Sequence, residues 1–382
     1  MSTRPYVGSI LAILTVTLIP ATVNATPQFA RKYRVDCSSC HSAPPRLNER
    51  GLRFVASGYR FEAAEPSPTI PLAVWNTVDF EWRQSGDLAK GFPSRVEFIS
   101  AGPIGNSGAS YFAEWRALSQ NVAANGRLLN RSGRFEDLFV RMPVTAGNAL
   151  SLTVGQFRTL TQVDVSLRLS LSEPLVFSSS VPGRPAADLR LTGLRAFSPS
   201  GRQPAVRAEY QVRRGPSPAD GWFVAATLPL VGELTLPFTD AASFEFEARP
   251  KGVFLESYRR AGLTSFGAHA FVGDEQRRLF TGVVTHRMGP VAFLAGAGAF
   301  HAVGVTDTRL SLGGEATFSS HFVGGVRVDH RTGQRRDPAV LMYGNIHLPF
   351  GPSAFRQALR FQIEHRIQPA NHATGFAVSH VF

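Results

Sequence analysis

From Leu72 to the end of the chain, apolar and polar residues alternate with a period of two, and few folds tolerate that pattern for so long. Val74, Val78, Phe80 and Trp82 alternate with Thr77, Asp79, Glu81 and Arg83. Val206, Ala208, Tyr210 and Val212 alternate with Arg207, Glu209, Gln211 and Arg213, and Leu359, Phe361, Ile363 and Ile367 with Arg360, Gln362, Glu364 and Arg366. Successive side chains of a strand point to opposite faces, so each stretch has one apolar and one polar face. Segments of about ten residues built this way, with turn residues between, predict a transmembrane antiparallel β-barrel over residues 72–382. A soluble β-sandwich also alternates, but three features favour the barrel: abundant charge along the inner face, aromatics recurring at strand ends, and an alternating last segment, Phe376 to Phe382, that ends on phenylalanine. Roughly ten residues per strand and a similar number per connection give about 16 strands, with roughly 14 to 18 open. The stretch from Val163 to Pro185, rich in Ser, Leu and Pro, breaks the alternation and reads as a short strand with an inward loop or plug.

The first 25 residues have the parts of a secretory signal: Arg4, an apolar or small run from Val7 to Val23, and Val23-Asn24-Ala25 as a small-residue cleavage site. No later apolar run is long enough for a spanning helix. The formal net charge is +12, nearly all of it arginine. Export argues against nucleic acid as the partner, and arginines spread singly among Asp and Glu read as a polar barrel wall rather than one basic face.

The only two cysteines sit in Cys37-Ser38-Ser39-Cys40-His41. A Cys-x-x-Cys-His run in an exported chain reads as an attachment site for one covalent haem c, the thiols forming thioethers and His41 serving as an axial iron ligand. A lone disulfide or redox dithiol is the alternative, but no βαβ pattern surrounds the pair. After His41, the apolar or small positions 47, 51, 54, 55 and 58 follow helical spacing and predict a short amphipathic helix ending near Gly58. Its apolar face would cover the haem edge, with Phe29 and Tyr33 on the other side. Residues 26–62 bury too little to fold alone, and Pro-rich residues 63–71 link them to the barrel.

The haem segment contains no methionine and no histidine besides His41, so a sixth iron ligand must come from the barrel. By strand parity Met142 and Met342 face outward, and Met288 lies in a turn. His269, His286 and His347 fall on inward positions and are the candidates. Inward histidines in a polar lumen are also simply hydrogen-bonded wall residues, and a register error of one residue would reverse each assignment.

The runs Pro27-Gln28-Phe29-Ala30-Arg31-Lys32-Tyr33, Cys37 to His41, Pro45-Arg46-Leu47-Asn48 and Gly58-Tyr59-Arg60 resemble the fused monohaem cytochrome–porins of the bacterial outer membrane, including the iron-oxidising cytochromes of that type. Gly155-Gln156-Phe157 also looks like a strand end in such proteins. The resemblance implies a barrel in a Gram-negative outer membrane with its haem segment on the periplasmic side or in the lumen. It also implies electron transfer between an extracellular redox substrate and periplasmic cytochromes or other soluble carriers, with Fe(II) oxidation as one form. Two other readings stand beside it: a diffusion porin whose haem is structural or sensory, and an open-coordinate, peroxidase-like haem enzyme.

Overall fold

The structure is a computed structural model that describes residues 28–35, 37–43, 46–61, 71–83, 88–90, 95–122, 128–130, 132–145, 149–159, 174–177, 201–213, 220–232, 246–273, 277–302, 304–319, 321–332, 338–350, 357–368 and 371–381. The signal sequence over 1–25 and nearly all of the linker over 63–71 lie outside the described residues. The N-terminal segment holds helices α1 (Gln28–Tyr33), α2 (Cys37–Cys40) and α3 (Glu49–Ala56), with a small antiparallel ribbon of β1 (His41–Ala43) and β2 (Arg46–Leu47) between the last two. The helix expected to end near Gly58 is α3.

The chain then alternates up and down. The first half runs through β3 (Ala73–Arg83), β4 (Leu88–Lys90), β5 (Arg95–Pro103), β6 (Ser110–Val122), β7 (Leu128–Asn130), β8 (Arg134–Pro143), β9 (Leu150–Arg158), β10 (Arg202–Arg213), β11 (Gly221–Gly232) and β12 (Phe246–Pro250). The second runs through β13 (Gly252–Ala261), β14 (Thr264–Gly273), β15 (Arg278–Met288), β16 (Val291–Ala302), β17 (Val305–Thr317), β18 (Phe322–Arg331), β19 (Ala339–Phe350), β20 (Gln357–Gln368) and β21 (Asn371–Val381). Among the described residues, the short β4, β7 and β12 extend connections at one rim, and the other sixteen long strands from β3 onward close an antiparallel barrel. Closure is made by β21 on β3, in a register running from Ala373↔Arg83 to Val381↔Trp75.

Period two explains the sorting of faces. Leu312, Ile363, Phe266 and Leu255 point out of the ring and are half or more exposed. Their strand neighbours Ser311, Glu364, Ser265 and Glu256 point in and are buried. An apolar exterior around a polar interior is the arrangement a lipid bilayer demands. Met142 and Met342 belong to the outer face, and Met288 sits exposed at its turn. No helix among the described residues is long and apolar enough to cross a membrane.

The two rims differ. Connections 104–109, 144–149, 214–220, 262–263, 289–290, 318–321 and 351–356 lie at the rim where β3 begins, and all are short. The long connections 84–94, 123–133, 159–201 and 233–251 lie at the other. From the longest of these, a 3-10 turn at Leu175–Phe177 packs onto the inner wall. There Val176 and Phe177 bury against Val283 and Leu294, and the Leu175 N–H donates to Asp329 Oδ1 at 3.3 Å. This is the inward loop expected within 163–185.

A charge on the lipid face is costly in proportion to its depth. Leu312→Arg, at mid-strand on β17, is expected to lower barrel stability by about 2–4 kcal/mol in urea titrations read by gel mobility, whereas Thr308→Arg, on the same face nearer the strand end, should cost about 0–1 kcal/mol. Equal costs would place this face away from lipid.

Candidate functional site

The five residues from Cys37 to His41 sit at the short-turn rim, held by their neighbours in sequence. Cys37 to Cys40 form a single helical turn, α2, and His41 begins β1. Asn48 ties this turn to the next helix in three ways. Its side chain accepts from Gly51 N at 3.0 Å as the N-cap of α3, its Nδ2 donates to Ser39 O at 3.1 Å, and its backbone N–H donates to Cys40 O at 2.8 Å. An N-cap of this kind satisfies one of the orphan donors at a helix start. Gly51 lets α3 lie directly on α2, since a Cβ there would fall 2.2 Å from Cys40 O.

The apolar face of α3 turns into an aromatic cluster. Phe54 meets Phe29 at 4.8 Å, Tyr33 at 5.4 Å and Phe61 at 4.5 Å between ring centroids, and Phe29 stacks on Tyr59 at 5.0 Å. The cluster continues onto the inner barrel wall through Ala101 and Phe112. Tyr59 takes the left-handed conformation (φ 63°), unusual for a residue with a Cβ, and the Tyr33 hydroxyl holds it by donating to Tyr59 O at 2.7 Å. Phe29 and Tyr33, expected to flank the attachment site, thus pack with Phe54 into the body that carries it.

Polar contacts fasten this body to the rim. Arg60 donates to the carbonyls of Gly105 (2.9 Å) and Gly108 (3.3 Å) in the β5–β6 turn, and Arg31 donates to Leu72 O. Gln28 Oε1 accepts from Ala101 N at 3.2 Å. The pairing of β3 with β5 starts at Ala73↔Ile99, so the β5 backbone beyond Ile99 lacks a β3 partner, and Gln28 serves it instead. Neither Gln28, Arg31 nor Arg60 was marked as a fastening residue by the sequence, because each acts through a backbone partner far along the chain.

The histidine candidates separate cleanly. His269 points inward as expected but belongs to the wall: it is buried, its Nδ1 lies 3.1 Å from Thr281 Oγ1 and its Nε2 4.0 Å from Glu256, beneath Phe177 and stacked on Phe254. His286 does not point inward. It pairs with Thr264 on the outer face, and its Nδ1 lies 2.8 Å from Thr264 Oγ1. The inner face of β15 is Leu279, Thr281 and Val283, apolar because the loop at Val176 packs on it, so parity assigned from apolar residues comes out inverted there. His347 points inward with Leu341, Tyr343 and Asn345. It lies at the same rim as α2, close enough to His41 for the two rings to interact electrostatically.

A porphyrin tethered by thioethers needs a cysteine pair on one helical turn, an adjacent histidine, and apolar surface close by. These residues fit that requirement: α2 carries both cysteines, Cys40 is partly buried, His41 follows, and the aromatic cluster adjoins them. Among the described residues, no group of three or more His, Cys, Asp or Glu is placed to hold a bare metal ion.

The inner wall is lined by paired charges. Arg202 reaches Glu114 (2.8 Å), Asp137 (2.8 Å) and Glu136, and Arg116 reaches Glu97 (3.0 Å) and Glu136 (2.9 Å). Arg207 binds Glu256 at 2.6 Å, and Glu209 joins Arg207 at 3.5 Å and Arg141 at 2.6 Å. Glu364 pairs with Arg366 at 3.5 Å, and Arg360 donates to Asn345.

No family model and no curated protein matches the chain. Solved structures match in fold. An anion-selective porin from Comamonas acidovorans superposes with a TM-score of 0.51 at 12% identity, over 81% of this chain and 98% of the porin. The OmpF of Salmonella typhi, solved with daunomycin, gives a TM-score of 0.50 at 9% identity, over 81% of this chain and 97% of that one. At such identities the likeness concerns the barrel, and the barrel is porin-like.

Gly51→Ala forces the Cys40 carbonyl to move, at a cost of about 1–3 kcal/mol to the seating of α2 on α3. Faster protease cleavage of the N-terminal segment is expected, with the barrel's heat-modifiable gel migration unchanged. Wild-type cleavage rates would show that α2 and α3 are not packed this way.

Proposed function

We propose that the chain is an outer-membrane barrel of the porin type that carries one covalent haem c at its periplasmic mouth. The observation that carries this reading is the seating of Cys37 to His41, on α2 and the start of β1, within an aromatic body fastened to the rim of a closed barrel. Short turns mark the periplasmic rim of such barrels and longer loops the extracellular one, which supports a periplasmic position for the haem segment. The apolar exterior makes outer-membrane lipid the first partner.

The likeness in fold supports solute diffusion better than electron transfer, because what it matches is the barrel. In that reading the paired inner charges set which solutes pass, and the haem is structural or sensory. Electron transfer is favoured by a different observation. Arg207, Glu256, Arg309 and Ser311 all face inward with at most 1% of their surface exposed, so that side of the interior holds little room for solute. A haem bound at the mouth would supply reversible one-electron transfer there, between an extracellular donor or acceptor and periplasmic carriers. The chain's own part would be to hold the group by Cys37, Cys40 and His41 and to keep bulk water away with Phe29, Tyr33, Phe54 and Tyr59.

One measurement tests the haem and a second separates the two readings. Cys40→Ala is expected to abolish haem staining of the denatured protein while the barrel still forms; retained staining would remove the haem from the proposal. In planar bilayers, diffusion predicts a steady ohmic conductance that rises in Phe177→Ala, since truncating a buried phenylalanine forfeits about 3–5 kcal/mol of the packing that anchors the loop. A chain that conducts nothing, yet reduces an external acceptor from the periplasmic side of a proteoliposome, is a redox conduit and not a porin.

A further inference from the structure

The iron of the proposed haem needs a second axial partner or an open position, and the barrel wall presents one residue suited to the task. We infer that His347 of β19 is the second axial ligand, so that a histidine from the N-terminal segment and one from the barrel clamp the same iron. This inference rests on the haem reading and deepens it.

Four observations converge on His347. Its side chain shares the inner face with Leu341, Tyr343 and Asn345, and it lies near the end of β19 at the rim that carries α2. Both of its ring nitrogens are buried and neither makes a hydrogen bond. Buried polar atoms in native proteins are nearly always paired, so a ring with two orphaned nitrogens calls for a partner that the polypeptide does not supply. The ring is close enough to His41 for the two to interact electrostatically. Its backbone is fixed on both sides, with its N–H donating to His321 O at 2.7 Å and its carbonyl accepting from His321 Nδ1 at 3.0 Å. A wall position this rigid is what a metal ligand requires.

The competing side chains are engaged elsewhere. His269 lies beneath the inward loop beside Glu256 and Thr281, and His286 faces outward. Met142, Met288 and Met342 are exposed on the outer surface or at a turn. His321 and His380 lie at the same rim, but His321 is exposed to solvent and His380 alternates with the inward Ala377 and Ser379. Arg360 stands opposite His347 across the β19–β20 pair and is occupied by Asn345, and it would add positive charge beside the iron. Ligation by a strand residue would make the haem a cross-link between segment and barrel, and it would fill the sixth position that a peroxidase-like enzyme needs open.

The test uses full-length protein purified in detergent, with covalent haem per chain counted by pyridine haemochrome beside each spectrum. The unmodified protein should give a low-spin ferric electron paramagnetic resonance and optical signature of two imidazole ligands. His347→Ala should retain one haem per chain but turn high-spin, and added imidazole should restore the low-spin state. His347→Met should introduce the near-infrared methionine-to-iron band, and His380→Ala, at the same rim on β21, should leave the spectrum unchanged. A low-spin spectrum that survives His347→Ala, loss of the low-spin state in His380→Ala, or a high-spin or methionine-ligated spectrum of the unmodified protein each overturns the assignment of His347. Absence of covalent haem from the unmodified protein overturns the haem reading itself. Even where a variant fails to assemble, a high-spin or methionine-ligated spectrum of the unmodified protein overturns the assignment.

Discussion

A strand crossing lipid has nowhere to put an unpaired backbone amide, so the sheet must close on itself. Every other feature of this protein depends on that closure. Pairing β21 with β3 completes the ring, and completion sorts side chains strictly into lipid-facing and inward sets. Arginine and carboxylate then share a confined interior where an isolated charge is costly. The networks follow from that: Arg202 bridges Glu114, Glu136 and Asp137, and Arg207 of β10 meets Glu256 of β13 across the intervening β11.

Closure also explains why an otherwise unstable N-terminal segment has a fold. Where β3 begins short of the end of β5, the ring leaves backbone groups without strand partners. Gln28 on Ala101 N and Arg31 on Leu72 O satisfy them, and the aromatic cluster buries what remains against Ala101 and Phe112. Segment and barrel each complete something the other lacks. A haem held at this seam would be shielded by both and accessible from the rim.

Much of this was legible in the chain. The alternation carried the barrel, its strand number and the facing of Thr77, Arg207, Arg327 and Glu364, because a lipid exterior enforces the pattern on nearly every strand. The spacing after His41 carried α3. Parity succeeded for His269 and His347 and failed for His286, and the failure is instructive. On β15 both faces are apolar, the outer for lipid and the inner for Val176 and Phe177 of a loop from far along the chain, so alternation carries no sign there. Which inward histidine lies near His41 was hidden for a similar reason: ring order and rim are properties of the closed barrel, and nothing local to His347 records them. The irregular stretch 163–185 signalled an inward loop, but not which strands it would touch.

A cryo-electron microscopy map of the full-length protein in lipid nanodiscs tests most directly whether the Cys37 to His41 segment is built into the barrel mouth. Expected is a sixteen-strand ring with residues 28–61 seated at the short-turn rim, and porphyrin density joined to Cys37 and Cys40 between His41 and His347. A mouth free of that segment, or a porphyrin held away from the barrel, would contradict it.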